Sequence, residues 1–373
     1  MHHLVTTTTT PPRIGRLADL ADEAQAFHRS MPGYSITPLH RLDSLAHSIG
    51  AGSLLLKDES YRFGLNAFKG LGASFAVHKW LTTHPASGDV TFTTATDGNH
   101  GRSVAWAARM AGHRAVVFIP SHAAPSRVAA IREQGAEVHL VAEGYDAAVR
   151  RAEATAAREG WVLVQDFAHD GYTEIPDWIM AGYWTHAREL EPVPHGADRP
   201  DIDLVILHAG VGTWPAAIAA YYWHRYGAAR PRIAIVEPSR AACVLAGIRA
   251  GKPVMIDSPE RTVMAGLDCA TASTTALEIL SAGADAFFAI DEAWVLEAMR
   301  RLASPMGSDP VVIAGESGAA SVAGLLALHG EPALAPVREH LGLGPASRVL
   351  VWSTEGATDP VHWAKVVGRP VPA

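Results

Sequence analysis

The sequence predicts an α/β fold with two domains built around mostly parallel sheets. Three observations predict it. Short apolar runs alternate with Ala-rich helical segments, the pattern of strand–helix units whose sheets are covered on both faces. At 373 residues the chain exceeds a typical domain of roughly 100 to 200 residues. Glycine-containing turns also follow apolar runs and open helical segments, as at residues 209–213.

The elements follow in order. The first dozen residues, with the Thr6 to Thr10 run and Pro11-Pro12, read as a mobile tail and carry no basic start or apolar stretch of a secretion signal. Short apolar runs predict strands at 53–56, 90–94, 115–119, 137–141, 161–164, 203–208, 232–236, 286–290 and 348–352. Helices lie between most of them. Pro, Gly and polar residues at 195–200 predict a linker or surface loop. The charge-free run at 204–224 has the length of a membrane span, but Gly210, Gly212 and Pro215 make it a strand, a turn and a buried helix.

Composition excludes several functions. Thirty-one basic and 38 acidic residues give a net charge of −7 without a basic cluster, so no nucleic-acid surface is expected. The cysteines, Cys243 and Cys269, support neither a disulfide framework nor a zinc site, and a reducing compartment, by default the cytoplasm, fits best. Nineteen histidines include no H-E-x-x-H and no tight ligand group, so no metal is expected.

In parallel sheets ligands sit beyond the carboxyl ends of strands, which draws attention to residues 57–70, 94–101, 165–172, 209–213 and 353–359. Lys69 opens a helical segment carrying Leu71, Phe75 and Val77. A cation at the positive end of a helix dipole should deprotonate more easily and be more nucleophilic, which suits a Schiff-base lysine. By itself the segment reads more readily as an exposed surface lysine at a helix start. Ala209-Gly210-Val211-Gly212-Thr213 offers backbone N–H groups to a phosphate, yet Pro215 stands where G-x-G-x-x-G needs its third glycine and no G-K-[ST] follows. Nicotinamide and P-loop nucleotide readings therefore fall. The loop from Thr94 to Gly101 can grip a carboxylate, or simply cap a helix through Asp97 or Asn99. Gly315-Glu316-Ser317-Gly318-Ala319 lacks the final glycine of a nucleophile elbow and a convincing strand before it.

Taken together, these segments resemble the fold-type II pyridoxal-phosphate (PLP) enzymes, and within them the diaminopropionate ammonia-lyases. The resemblance is carried by Lys57-Asp58-Glu59-Ser60, by Arg62-Phe63-Gly64-Leu65-Asn66-Ala67-Phe68-Lys69 and by Ala95 through Gly101. Gly171 through Pro176, Trp178-Ile179-Met180, Met264 through Leu267, Gly315 through Gly318 and Ser353 through Gly356 continue it, in the family's order.

The resemblance implies two domains with the active site in the cleft between them: residues 1–75 plus 186–373 as the large PLP-binding domain and 76–185 as a small inserted one. It implies that Lys69 carries the cofactor with Phe68 beside it, that Gly210, Val211, Gly212 and Thr213 cup its phosphate, and that Asn99 meets its phenolic oxygen. Ser353 or Thr354 would present a neutral hydroxyl to the pyridine nitrogen. An unprotonated pyridine is a weaker electron sink, which favours expelling a β leaving group over transamination. The implied reaction is α,β-elimination of L- and D-2,3-diaminopropionate through aminoacrylate to pyruvate and two ammonia. Lys69 would remove the Cα proton, Asp97 would serve as the base for the D-enantiomer, and Asp166 would grip or deprotonate the β-ammonium. Thr96, Gly98, His100 and Tyr172 join them as substrate-binding candidates, with Glu174 and Trp178 shaping the pocket. A homodimer is the implied assembly. Trp214-Pro215, Asp268 and a slightly short chain depart from the pattern, leaving elimination or replacement on serine, threonine or another β-substituted alanine as the alternative.

Overall fold

The computed structural model describes residues 3–6, 12, 14–15, 17–85, 88–190, 201–257 and 260–372. The loop expected at 195–200 and residues 7–11 of the expected tail lie outside the described residues.

The described strands are β1 His3–Val5, β2 Leu39–Arg41, β3 Ser53–Asp58, β4 Thr91–Ala95, β5 Arg114–Pro120, β6 Glu137–Val141, β7 Val162–Leu163, β8 Leu204–His208, β9 Arg232–Pro238, β10 Ala286–Ile290 and β11 Arg348–Ser353. They form a seven-stranded sheet, ordered β1-β10-β9-β8-β11-β3-β2, and a four-stranded sheet, ordered β6-β5-β4-β7. Every pairing is parallel except β1 with β10 and β2 with β3 at the two edges of the larger sheet. Strands β4, β8 and β10 are buried along their whole length, which is why β8 and β10 read as apolar runs rather than as alternating ones.

All nine strands expected from the sequence are present with small shifts at their ends; β1 and β2 were not foreseen. The mobile tail is corrected in part: His3, Leu4 and Val5 pair with Phe288, Phe287 and Ala286, and Thr6 Oγ1 donates to Ala284 O at 2.6 Å. A three-residue strand carries too little periodicity to be legible, and its partner lies far away in sequence. The apolar run at 204–224 resolves into β8, a glycine turn and the helix Thr213–Tyr226.

The helix Gly70–Thr83 packs against Glu174–Arg188 and Asn99–Met110. At Gly182 a Cβ would stand 2.6 Å from Leu71 O, so the second helix rests directly on the first turn of the one that follows Lys69. The segment before Lys69 is anchored differently, by charge. Arg62 Nη2 lies 2.9 Å from Glu59 Oε1 and 2.8 Å from Glu189 Oε2, and Lys57 Nζ lies 2.7 Å from Glu189 Oε2, with every one of these side chains buried. Two cations and two carboxylates leave no net charge. Burial alone would raise the Glu59 carboxyl, but the Arg62 guanidinium beside it holds it well below its ordinary range.

Removing one member would strand the others without compensation. Arg62→Ala should lower unfolding free energy by about 3 to 5 kcal/mol, read as a lower denaturant midpoint for the full chain.

Candidate active site

The carboxyl ends of β4, β7, β8 and β11 converge on a cavity of about 850 Å³, its open mouth included. Lys69 enters it from the N-terminal boundary of the helix Gly70–Thr83. Its Nζ makes a short ion pair with Asp166 Oδ2 and lies 5.6 Å from the centre of the Phe68 ring.

That pair overturns the expectation of an easily deprotonated amine. Burial pulls the Lys69 amine down, but Asp166 and Tyr183 more than reverse it, and it stands above its ordinary range. A helix dipole contributes less than a buried carboxylate in direct contact. Burial alone would raise Asp166; His100 and Lys69 reverse the effect and hold it down at about 2. Because burial also lowers His100, the lasting counter-charge is Lys69. His100 Nδ1 sits 3.7 Å from Asp166 Oδ2, and its Nε2 is bonded to Val164 O at 2.8 Å.

Asp97 faces the same cavity with the opposite behaviour. Burial pushes its carboxyl up to about 7; Arg261 opposes this and Asp268 adds to it. Arg261 Nη2 is 3.8 Å from Asp97 Oδ1, but its Nε is held 2.8 Å from Asp268 Oδ2. The guanidinium is thus shared, and Asp97 receives the weaker part. Neither Asp97 nor Asn99 caps the helix Asn99–Met110: Gly98 is the cap residue, and Thr96 Oγ1 accepts from the N–H groups of Gly98 and Gly101 at 2.9 and 3.0 Å. Thr96 and Gly98 line the cavity mainly as this turn.

On the facing wall, Gly210, Val211, Gly212 and Thr213 lead from β8 into the helix Thr213–Tyr226. Gly212 has φ +93°, and a Cβ at Gly210 would come within 3.0 Å of Cys269 Sγ and Gly266 O, so the turn needs glycine at both positions. Pro215 falls in the first helical turn, where a missing N–H breaks no internal hydrogen bond. Thr213 Oγ1 donates to Asp166 O at 2.6 Å. The Trp214 ring lines the cavity, packs 5.5 Å from Phe68 and 4.8 Å from His208, and donates from Nε1 to His186 Nε2 at 3.0 Å. It thus narrows the pocket and packs under the helix at once. Both cysteines are free.

The two candidates at 353–354 are placed differently. Thr354 lines the cavity, while Ser353 is buried away from it with its hydroxyl donating to Glu355 O at 3.4 Å. Asn99 Nδ2 makes a short bond to Glu355 Oε2, joining the turn after β4 to the turn after β11. Three other expected residues do not line the cavity. Tyr172 instead donates to Leu163 O at 2.9 Å and accepts from Gln165 N at 2.8 Å, bracing the loop that carries Asp166. Glu174 and Trp178 border a separate cavity with Ile14 and Leu17. Ser317, in the elbow-like segment, accepts from Gly266 N at 3.0 Å.

Sequence reasoning passed over Tyr145, Tyr183 and His208, all of which line the cavity. His208 ends β8, directly before the glycine turn, so its place at a strand's carboxyl end was the available signal. The two tyrosines sit on helices with no local mark of function. Tyr183 Oη and His100 Nδ1 are buried polar atoms with no hydrogen-bond partner among the described residues, and both face the space beside Lys69. Together with the glycine cradle and the Thr354 hydroxyl they form a receptacle for a phosphorylated, ring-bearing group. Among the described residues no group of three or more His, Cys, Asp or Glu is placed to hold a metal ion, and no helix is long and apolar enough to cross a membrane.

The family model of pyridoxal-phosphate dependent enzymes matches residues 31–336. The chain is 38% identical over 371 residues to the diaminopropionate ammonia-lyase of Salmonella typhimurium, covering 94% of this chain and 92% of that protein. It is 40% identical over 360 residues to the diaminopropionate ammonia-lyase of Escherichia coli K12, covering 92% and 90%. The crystal structure of the Escherichia coli lyase with an aminoacrylate-PLP azomethine reaction intermediate superposes with a TM-score of 0.87 at 37% identity, covering 98% of each chain. The same lyase with D-serine gives 0.88 at 36% identity, covering 98% and 97%.

The raised Asp97 carboxyl ties stability to pH. Its folded value of about 7 lies above the ordinary 3.8, so its stabilising contribution is complete below the ordinary value and is lost as pH rises through about 7. Asp97→Asn should flatten that part of the stability profile, measured by denaturant unfolding on either side of pH 7.

Proposed function

The chain belongs to the pyridoxal-phosphate-dependent enzymes, and from that premise we propose that it eliminates ammonia from L- and D-2,3-diaminopropionate to give aminoacrylate, which water hydrolyses to pyruvate and a second ammonia. The observation that carries this reading is one cavity lined by Lys69, by Asp166 paired to its amine, and by Asp97 on a guanidinium shared with Asp268, with the glycine turn 210–213 on the facing wall. The diaminopropionate ammonia-lyases of Salmonella typhimurium and Escherichia coli, at 38% and 40% identity, support the substrate.

In this reading Lys69 Nζ holds the cofactor, with Phe68 against it. The N–H groups at 210–213 would take its phosphate, Asn99 would meet its phenolic oxygen and Thr354 its ring nitrogen, all of them residues that line the cavity. When bound, the cofactor delocalises the electron pair released at the substrate Cα. Lys69 Nζ, freed as a neutral amine when the substrate amine displaces it from the cofactor, would take the Cα proton from one face. Asp97, poised near neutrality, takes it from the other face in the D-enantiomer. Asp166 stays anionic at working pH and suits holding the β-ammonium more than accepting its proton. His100 lies beside it. Trp214 excludes water from the inner wall.

The division into 1–75 plus 186–373 and 76–185 belongs to the same proposal, supported by the four-stranded sheet whose strands run from Thr91 to Leu163. So do a homodimeric assembly, which rests on the family resemblance, and a cytoplasmic location, supported by two free cysteines.

The test is pyruvate and ammonia release from both diaminopropionate enantiomers, with L-serine and L-threonine alongside. Both enantiomers should turn over well above the hydroxy amino acids, and Lys69→Ala should abolish the reaction. Asp97→Asn should cut turnover of the D-enantiomer by about 100-fold or more and keep most of the L activity. Turnover confined to serine or threonine would overturn the substrate assignment.

A further inference from the structure

We propose that His208 is a positioning residue that fixes the Thr354 hydroxyl as a hydrogen-bond donor into the cavity, toward an unprotonated cofactor ring nitrogen. The proposal rests on the functional reading above for its target, but the donor assignment follows from this chain's own contacts.

His208 Nε2 lies 2.8 Å from Thr354 Oγ1, and His208 Nδ1 lies 2.8 Å from Ser321 Oγ. All three side chains are buried. Burial, with the Lys69 charge adding to it, lowers His208 to about 3, so the ring is neutral in ordinary buffers and carries one N–H. Two arrangements of three protons are then available. In one, Ser321 donates to Nδ1, the Nε2–H donates to Thr354 Oγ1, and the Thr354 proton is left to point into the cavity. In the other, Thr354 donates to Nε2, the Nδ1–H donates to Ser321 Oγ, and the Ser321 proton needs another acceptor.

Donor accounting separates them. Among the described residues Ser321 Oγ has no partner besides His208 Nδ1, and the side chain is fully buried, so the second arrangement strands a hydroxyl proton. The first strands none, because Thr354 lines the open cavity, where water or a ligand can accept its proton. Its tautomer is therefore Nε2–H. Trp214, 4.8 Å from the His208 ring, packs against it and limits its freedom to turn over. A Thr354 hydroxyl committed to donating meets a ring nitrogen that bears no proton and disfavours one that does.

The experiment uses the full chain, first stripped of PLP and then loaded. Imidazole 15N shifts of His208, assigned by their loss in His208→Gln, should place the proton on Nε2 in both states. PLP affinity, followed by the visible absorption of the bound cofactor, should fall roughly tenfold in His208→Phe and in Thr354→Val, the size of one hydrogen bond. The double variant should fall no further, because the two side chains act through one contact. His208→Gln, whose amide N–H reaches toward Thr354, should restore part of the loss and guards against a Phe variant that does not fold. A proton found on Nδ1, or losses that add in the double variant, would overturn the proposal. Failure of the unaltered chain to bind PLP would instead overturn the functional reading, and the tautomer of the stripped protein would still decide the donor assignment.

Discussion

The ion pair between Lys69 and Asp166 is the contact on which the site depends, because its partners come from different sheets. Lys69 stands before a helix tied to the larger sheet through the buried Lys57–Glu59–Arg62–Glu189 group, and Asp166 follows β7 of the smaller one. Asn99 with Glu355 and Thr213 with the Asp166 carbonyl repeat the arrangement, each joining one turn from each sheet. Parallel sheets expose unpaired backbone groups and loop side chains at their carboxyl ends, and two such ends set against one another enclose a polar cavity between apolar cores. The cluster around Arg62 adds rigidity behind it: a charged network with no net charge and no access to water tolerates little displacement.

Within that enclosure, residues of the same type acquire different chemistry from their neighbours. Asp166 sits on an ammonium and is held anionic; Asp97 must share Arg261 with Asp268 and is held near neutrality. Neither difference lies in the residues themselves. A carboxylate that keeps its charge and another that exchanges a proton in the working range are the pair on which the proposed elimination draws.

What was legible in the sequence was what is local along the chain. The lysine at its helix start, the glycine turn after β8 and nearly every central strand announce themselves through spacing and apolar runs, since backbone geometry and burial on both faces demand those residues at those places. What depends on distant partners was not. The Lys69 amine was expected to be lowered by its helix, and Asp166, 97 residues along the chain, reverses that. Ser353 ends β11 and Thr354 follows it, indistinguishable by type, and only the fold, which sets Thr354 in the cavity lining and Ser353 outside it, separates them. Tyr172 sits in a matching motif yet braces a loop, because its hydroxyl finds Leu163 and Gln165 first. The edge strands β1 and β2 are too short to carry a period.

The placement of β1 bears on how the chain is made. Its pairing with β10 joins residues 3–5 to 286–288, and the neighbour of β3 in the middle of the larger sheet, β11, begins only at Arg348. The smaller sheet, by contrast, is finished once Leu163 has emerged. During synthesis from the N-terminus the smaller sheet can close upon itself early, while β3, β8 and β9 of the larger sheet wait for β10 and β11. The nascent protein thus exposes the edges of β3 and β8 until residues 348–353 have emerged, and that interval is when protection by a chaperone would matter most.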